Sequence, residues 1–302
     1  MIEWFVYWFM FPACILIASV AMLTGISGTA MLTPFLILVF PLINVPVLTP
    51  AQAVGMALFT EFFGFASGMV GYHEERLIDY QTARKLLVVS VPAIVIFSLM
   101  ANLVSSLLLR MVYGGMMVIL AAYLFLSSAS SVRNRESKTL PEAVSGIPRR
   151  SEEPAERVIR SRRHGEFRYR VCDQKSGLLA CGTGAAMEGL VSVGLGELLM
   201  PNLVKRCKMP VAVSAATSVF VIAITVLTGS VTSVLALVQR GGLGAVPWNL
   251  VFYTIPGAVI GGQIGSRFQG VISSDAMERA IAMLFFVVGL AFVATVTLAV
   301  IA

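Results

Sequence analysis

Of 302 residues, 57% are hydrophobic and 13% are charged, about half the charged share of an average soluble domain, which excludes a water-soluble globular fold. The apolar stretches are of helix length rather than short alternating segments, so the expectation is an all-α integral membrane protein, and an outer-membrane barrel is excluded. The net charge of +6 does not mark a nucleic-acid surface. Residues 132–175 hold 12 Lys/Arg and 7 Asp/Glu, +5 of the total, and one basic loop between membrane helices follows the positive-inside rule.

From Trp4 to Leu23 the chain reads as a retained helix, not a signal peptide: no basic n-region and no small-residue cleavage site precedes Gly25. Trp4, Phe5, Tyr7 and Trp8 suit an interfacial belt. The helix stops at a Gly-rich, Pro-bounded stretch, GISGTAMLTP (Gly25 to Pro34). A short helix from about Thr29 to Phe40 follows, and the loop with Pro41, Pro46 and Pro50 ends it.

Next come an apolar span from Ala51 to Tyr72, with Glu61 near its centre and a stripe of small residues at Gly55, Gly64, Gly68 and Gly71, a polar loop to Lys85, and spans at Leu86–Leu103 and Ser106–Leu126. Residues 127–175 are polar, without apolar periodicity, and read as a linker between two membrane halves. The second half repeats the order: Ser176–Val193, a break, a short segment to Val204, then spans at Pro210–Val238, Trp248–Ser266 and Met277–Ala299. The expected division is therefore 1–126, a cytoplasmic loop 127–175, and 176–302.

The repeat is visible residue by residue. A shift of 167 lays Cys14 on Cys181 and Pro34 on Pro201, so VSVGLGELLMP (Val191 to Pro201) falls on TGISGTAMLTP (Thr24 to Pro34). Non-helical backbone at bilayer depth is tolerated where it is buried in protein or lines a cavity, and paired breaks in two halves point to a transport site.

If each broken segment makes no net crossing, three full spans remain per half, and the second half inserts upside down. That arrangement puts 20 of the 22 basic residues on one face, Arg110 and Arg240 excepted. Two inverted repeats with both termini outside are expected.

The helices resuming after Gly28 and after Gly194 or Gly196 offer free N–H groups and a positive dipole end to an anion, with Gly25 allowing close backbone approach and Ser27, Thr29, Thr33 and Ser192 adding hydroxyls. The other reading of these small residues is tight helix crossing. Glu61, Glu188 and Glu197 lie within apolar spans without a Lys or Arg at matching depth. They are either structural acids hydrogen-bonded to neighbouring helices or proton carriers coupled to anion movement. Cys14 and Cys181 are symmetry mates that read as small hydrophobes or as substrate contacts. Gln52, Asn102 and Gln263 either line a polar path or cap helices.

Gly25-Ile26-Ser27-Gly28 has the GxSG form of an intramembrane serine protease nucleophile, but the chain's two histidines, His73 at a helix end and His164 in the polar loop, give it no intramembrane base. No P-loop, HExxH, CxxC or metal-ligand spacing occurs, so no cofactor and no metal is expected, and the four cysteines set no redox compartment.

The ordered, duplicated motifs resemble the TauE/SafE sulfite exporters, also called the 4-toluene sulfonate uptake permease family. They are GISGTAMLTP, AVGMA (Ala53 to Ala57), IDY (Ile78 to Tyr80) and GYH in the first half, and VGLGELLMP, AATS (Ala215 to Ser218), VPW (Val246 to Trp248) and GAVIGGQIGSRF (Gly257 to Phe268) in the second. The resemblance implies a secondary transporter of a small sulfur-containing or organic anion in the cell inner membrane, with a site between the Gly-rich segments. Thr217 and Ser218 of AATS join the candidate contacts. Thr29-Ala30 replaces part of the family's glycine run, Met56-Ala57 stands where Thr-Ser is usual, and Glu197 follows Gly196. An anion channel or a non-transporting membrane receptor is the alternative. The expected partners are the anion and the bilayer, and the sequence leaves oligomeric state open.

Overall fold

The computed structural model describes residues 5–24, 26–136, 156–162, 165–170, 174–267 and 274–301. In chain order the first half holds α1 (Met10–Thr24), α2 (Thr29–Leu42), α3 (Pro50–Glu74), α4 (Tyr80–Ala101) and α5 (Ser106–Glu136). A hairpin of β1 (Glu156–Ser161) and β2 (Gly165–Arg170) follows. The second half holds α6 (Gln174–Val191), α7 (Leu195–Lys205), α8 (Val211–Gly241), α9 (Trp248–Arg267) and α10 (Ser274–Ile301). Five of these helices are long and apolar enough to cross a membrane: α3, α4, α8, the Ser106–Leu126 part of α5 and the Arg279–Thr297 part of α10.

Local chemistry sets the boundaries. Thr49 and Gln52 form a reciprocal capping box with Pro50 at the first position of α3. Asp79 accepts the Gln81 and Thr82 N–H groups at 3.1 Å each, so α4 begins at Tyr80, six residues before the apolar run at Leu86. In α2, the prolines at 34 and 41 flank a wide π turn at Phe35–Val39.

Packing partners exchange reciprocally between the halves. α1 packs on α9 as α6 packs on α4, α3 packs on α9 as α8 packs on α4, and α3 meets α8 as α5 meets α10. The halves are thus interleaved. Where α1 and α3 cross α9 the backbones nearly touch: a Cβ at Gly257 or Gly265 would lie 2.5 Å from the Phe11 or Ser19 carbonyl oxygen of α1, one at Gly261 would overlap the Ile15 carbonyl of α1, and one at Gly262 the Gly64 carbonyl of α3. Small-residue crossings of this kind are how helices gain dispersion contact in lipid. Large apolar side chains such as Val88, Ile96, Leu126, Phe252, Met283 and Phe286 stay exposed around the outside, as a lipid-facing surface requires.

The hairpin corrects the expectation of a structureless linker, and α5 also runs ten residues further than the apolar span ending at Leu126. Arg157 pairs with Tyr169 and Ile159 with Phe167 across the strands. That face packs on the helices, while Arg160 and Glu166 form an ion pair of 2.7 Å on the exposed side. The hairpin is anchored on Asp79. Arg157 Nη1 donates to Asp79 Oδ1 at 2.8 Å and to Oδ2, and the Tyr169 hydroxyl donates to Oδ2 at 2.7 Å.

Candidate functional site

Both interruptions are buried, and they face each other. Between α1 and α2 the chain passes through Ser27 and Gly28, and α2 starts on the Gly28 carbonyl, which accepts the Leu32 N–H at 3.0 Å. Between α6 and α7 it turns through Ser192, at φ 56°, and Gly194, at φ 130°. Gly194 has to be glycine: a Cβ there would lie 2.9 Å from that of Met187, on a backbone that side chains rarely adopt. Ser192 makes three hydrogen bonds in its left-handed conformation, one of them from its hydroxyl to the Val191 carbonyl at 2.7 Å. Its N–H donates to the Glu188 carbonyl at 2.7 Å, and its hydroxyl lies 2.6 Å from that of Thr33.

That Thr33–Ser192 contact ties the two breaks together, and Glu188 ties them a second time. From the last two turns of α6, Glu188 Oε2 accepts the Leu195 N–H at 3.0 Å, the first of α7. Its Oε1 accepts from the Ser27 and Thr29 hydroxyls, each at 2.9 Å. From mid-α3, Glu61 Oε1 accepts from the Ser27 hydroxyl at 2.7 Å and from the Thr29 N–H at 3.3 Å. Glu197, in the first turn of α7, accepts the Gly194 N–H at 3.0 Å through Oε2. The free N–H groups expected at the resuming helices are therefore held by carboxylate oxygens of this chain.

Counting hydrogens sharpens the description. Ser27 and Thr29 contact each other, Ser27 contacts both Glu61 and Glu188, and Thr29 contacts Glu188: four oxygen–oxygen contacts on two hydroxyl hydrogens. Among the described residues no hydrogen bond reaches Glu61 Oε2 or Glu197 Oε1, both buried. The cluster is short of donors by design of its residue types, since no Lys or Arg among the described residues bonds to any of the three acids.

A narrow recess between α1, α2, α3 and α9 reaches Gly28 and Glu61 at the edge of this cluster. Its wall is apolar, with Cys14, Ala21, Leu32 and Phe65, and Gly28 and Glu61 also line it. Cys14 thus borders the recess, while its mate Cys181 lies buried against the Leu86 carbonyl, 3.7 Å away, and both thiols are free.

Other candidates fall elsewhere. Thr217 and Ser218 are buried in α8, where the Thr217 hydroxyl accepts the Asp79 N–H at 3.0 Å and the Ser218 hydroxyl bonds to the Ala215 carbonyl. No hydrogen bond among the described residues links either to the cluster. Gly196 is buried in the first turn of α7, and Gly25 lies outside the described residues. The three amides cap or cross-link: Gln52 caps α3 and reaches the Ala245 carbonyl, Asn102 bonds to the Ser98 carbonyl, and Gln263 bonds to the Ser67 carbonyl.

The sequence reading passed over Asp79, a buried carboxylate at the foot of α4. Burial alone would raise its pKa, but hydrogen bonds from Thr82 and Tyr169 and the Arg157 charge outweigh burial and hold it below the ordinary carboxylate value. Burial and the neighbouring Asp79 carboxylate push the Tyr169 hydroxyl up. An acid two and three residues before free N–H groups is an N-cap signal, and Asp79-Tyr80-Gln81-Thr82 carried it.

Lipid-facing helices around a buried polar cluster where two interrupted helices meet define a multi-pass membrane protein. The chain belongs to the sulfite exporter TauE/SafE family, whose pattern matches residues 10–292. It is 23% identical over 272 residues to the probable membrane transporter protein YunE of Bacillus subtilis (strain 168), covering 90% of this chain and 91% of that protein. No solved structure matches it. Membrane transport is the class of activity that this membership assigns.

Proposed function

We propose that the protein is a secondary transporter of a small sulfur-containing or organic anion in the cell inner membrane, coupled to protons and working by alternating access between two inverted halves, 1–126 and 176–302. The observation that carries this reading is the convergence of the Ser27 and Thr29 hydroxyls and the Thr29, Gly194 and Leu195 N–H groups on one buried cluster, where each holds a carboxylate oxygen. Donors that suit carboxylate oxygens suit the oxygens of a sulfite, sulfonate or carboxylate. The shortage of hydrogens among Ser27, Thr29, Glu61 and Glu188 supports a proton on the acids. The exchange of packing partners between halves supports a twofold relation, and the basic residues support termini outside with 127–175 in the cytoplasm.

The test is flux into proteoliposomes of purified protein. Saturable uptake of sulfite or 4-toluenesulfonate supports a carrier, and unsaturated conductance supports a channel instead.

A further inference from the structure

We propose that the Glu188 carboxylate is a built-in stand-in for the transported anion, and that the anion enters the site by replacing it on the Ser27 and Thr29 hydroxyls and the Leu195 N–H. This rests on the reading of the protein as an anion transporter.

Glu188 is singled out by what it joins. Glu197 caps its own helix through the Gly194 N–H and also meets the Ser27 backbone, and Glu61 holds the Ser27 hydroxyl and the Thr29 N–H beside Glu188. Glu188 places one oxygen on the two hydroxyls of the first break and the other on the first N–H of α7, an eleven-residue helix. Any anion that bridged the two halves at this point would need the same donors.

The groups around that position support a proton carrier there. Glu61 Oε2 and Glu197 Oε1 are buried acceptors without a donor among the described residues. Facing Glu188 are Glu61 from α3, Glu197 from α7, and Tyr113 from α5, whose hydroxyl donates to the Ala30 carbonyl at 3.4 Å. A further anion added to an ionised Glu188 would meet only acids and a phenol. Replacement is therefore tied to protonation: Glu188 takes up one proton, its neutral carboxyl leaves the three donors, and the anion takes them. The charge at the donors is unchanged for a monovalent anion. Release reverses the step, with the proton leaving as the carboxylate returns, so anion and proton travel together.

The duplication marks Glu188 as peculiar to the second half. At the 167-residue shift Glu188 corresponds to Ala21, and Ala21 lines the recess beside Gly28 and Glu61. Where the second half has the long acid, the first half has a methyl group, which stands beside Gly28 at the inner end of the recess.

The experiment is anion binding to the purified protein with proton uptake counted in weakly buffered solution. The probe is 4-toluenesulfonate, which stays ionised at every pH used, with sulfite as a second anion. One proton taken up per anion bound, and none in Glu188→Gln, is the expected result. Binding without linked uptake, or Glu188→Gln with uptake intact, overturns the stand-in while leaving anion transport standing. Failure of both anions to bind overturns the transport reading and the stand-in with it. If Glu188→Gln does not insert, Thr29→Val serves: about tenfold weaker binding of 4-toluenesulfonate with one proton still taken up is expected, and unchanged affinity overturns the shared donors.

Discussion

Glu188 and Leu195 stand on opposite sides of the break between α6 and α7, and the carboxylate of the first accepts the backbone N–H of the second at 3.0 Å. The other oxygen of the same carboxylate is held by Ser27 and Thr29, more than 150 residues away in the chain. One side chain therefore caps a helix, bridges two halves and occupies donors of both breaks.

Ser192 tests whether the break is strained. Ser192→Ala loses the Thr33 and Val191 bonds and keeps φ near 56°, whereas Ser192→Gly loses the same bonds but removes the strain. The glycine variant should be more stable than the alanine variant by about 1 kcal/mol, read as thermal unfolding in detergent. Equal stability would show that the turn carries no strain.

Gly28→Leu and Gly196→Leu should each abolish transport without preventing membrane insertion. A Cβ at Gly28 already meets that of Ala21 at 3.3 Å and Glu61 Oε1 at 3.7 Å, so a leucine there would fill the floor of the recess. Flux together with yield in the membrane fraction checks this, and full activity in either variant would place the site elsewhere.

Much of this site was legible in the residues. Ser27, Thr29, Thr33, Glu61, Glu188, Ser192, Gly194 and Glu197 all come from the two breaks and the apolar spans beside them, because glycine and proline inside hydrocarbon-length runs have few innocent explanations. What the sequence could not show is which donor meets which acceptor, since that depends on α1 and α6 crossing partners from opposite halves. Thr217 and Ser218 were drawn in by the family motif, and their hydroxyls bond elsewhere because α8 turns them toward Asp79 and its own backbone. The hairpin escaped because its apolar face is short: Ile159, Phe167 and Tyr169 alternate with Arg and Glu inside a strongly basic stretch whose charge dominates any composition reading.

The hairpin anchor should be sensitive to charge and nearly insensitive to pH in the physiological range. Asp79→Asn leaves Arg157 without its carboxylate and should loosen docking by about 1–2 kcal/mol, a modest figure because Arg157 is 19% exposed. Faster tryptic cleavage within 156–170 is the readout. Because the folded pKa of Asp79 is depressed, its contribution is fully present above the ordinary Asp value of about 3.9 and is lost as pH falls through the lower folded value. Cleavage by a protease active in acid should therefore accelerate only below about pH 4, and acceleration between about pH 5 and 7 would assign the anchor to another group.

The central claim is that this family member moves an anion together with a proton through the cluster around Glu188. Proteoliposomes with equal 4-toluenesulfonate on both sides and an inward proton gradient test it most directly. Wild-type protein should accumulate the anion until the gradient decays, and Glu188→Gln should equilibrate it without accumulation. Accumulation that is unchanged in Glu188→Gln, or a wild-type flux indifferent to the proton gradient, would contradict the account.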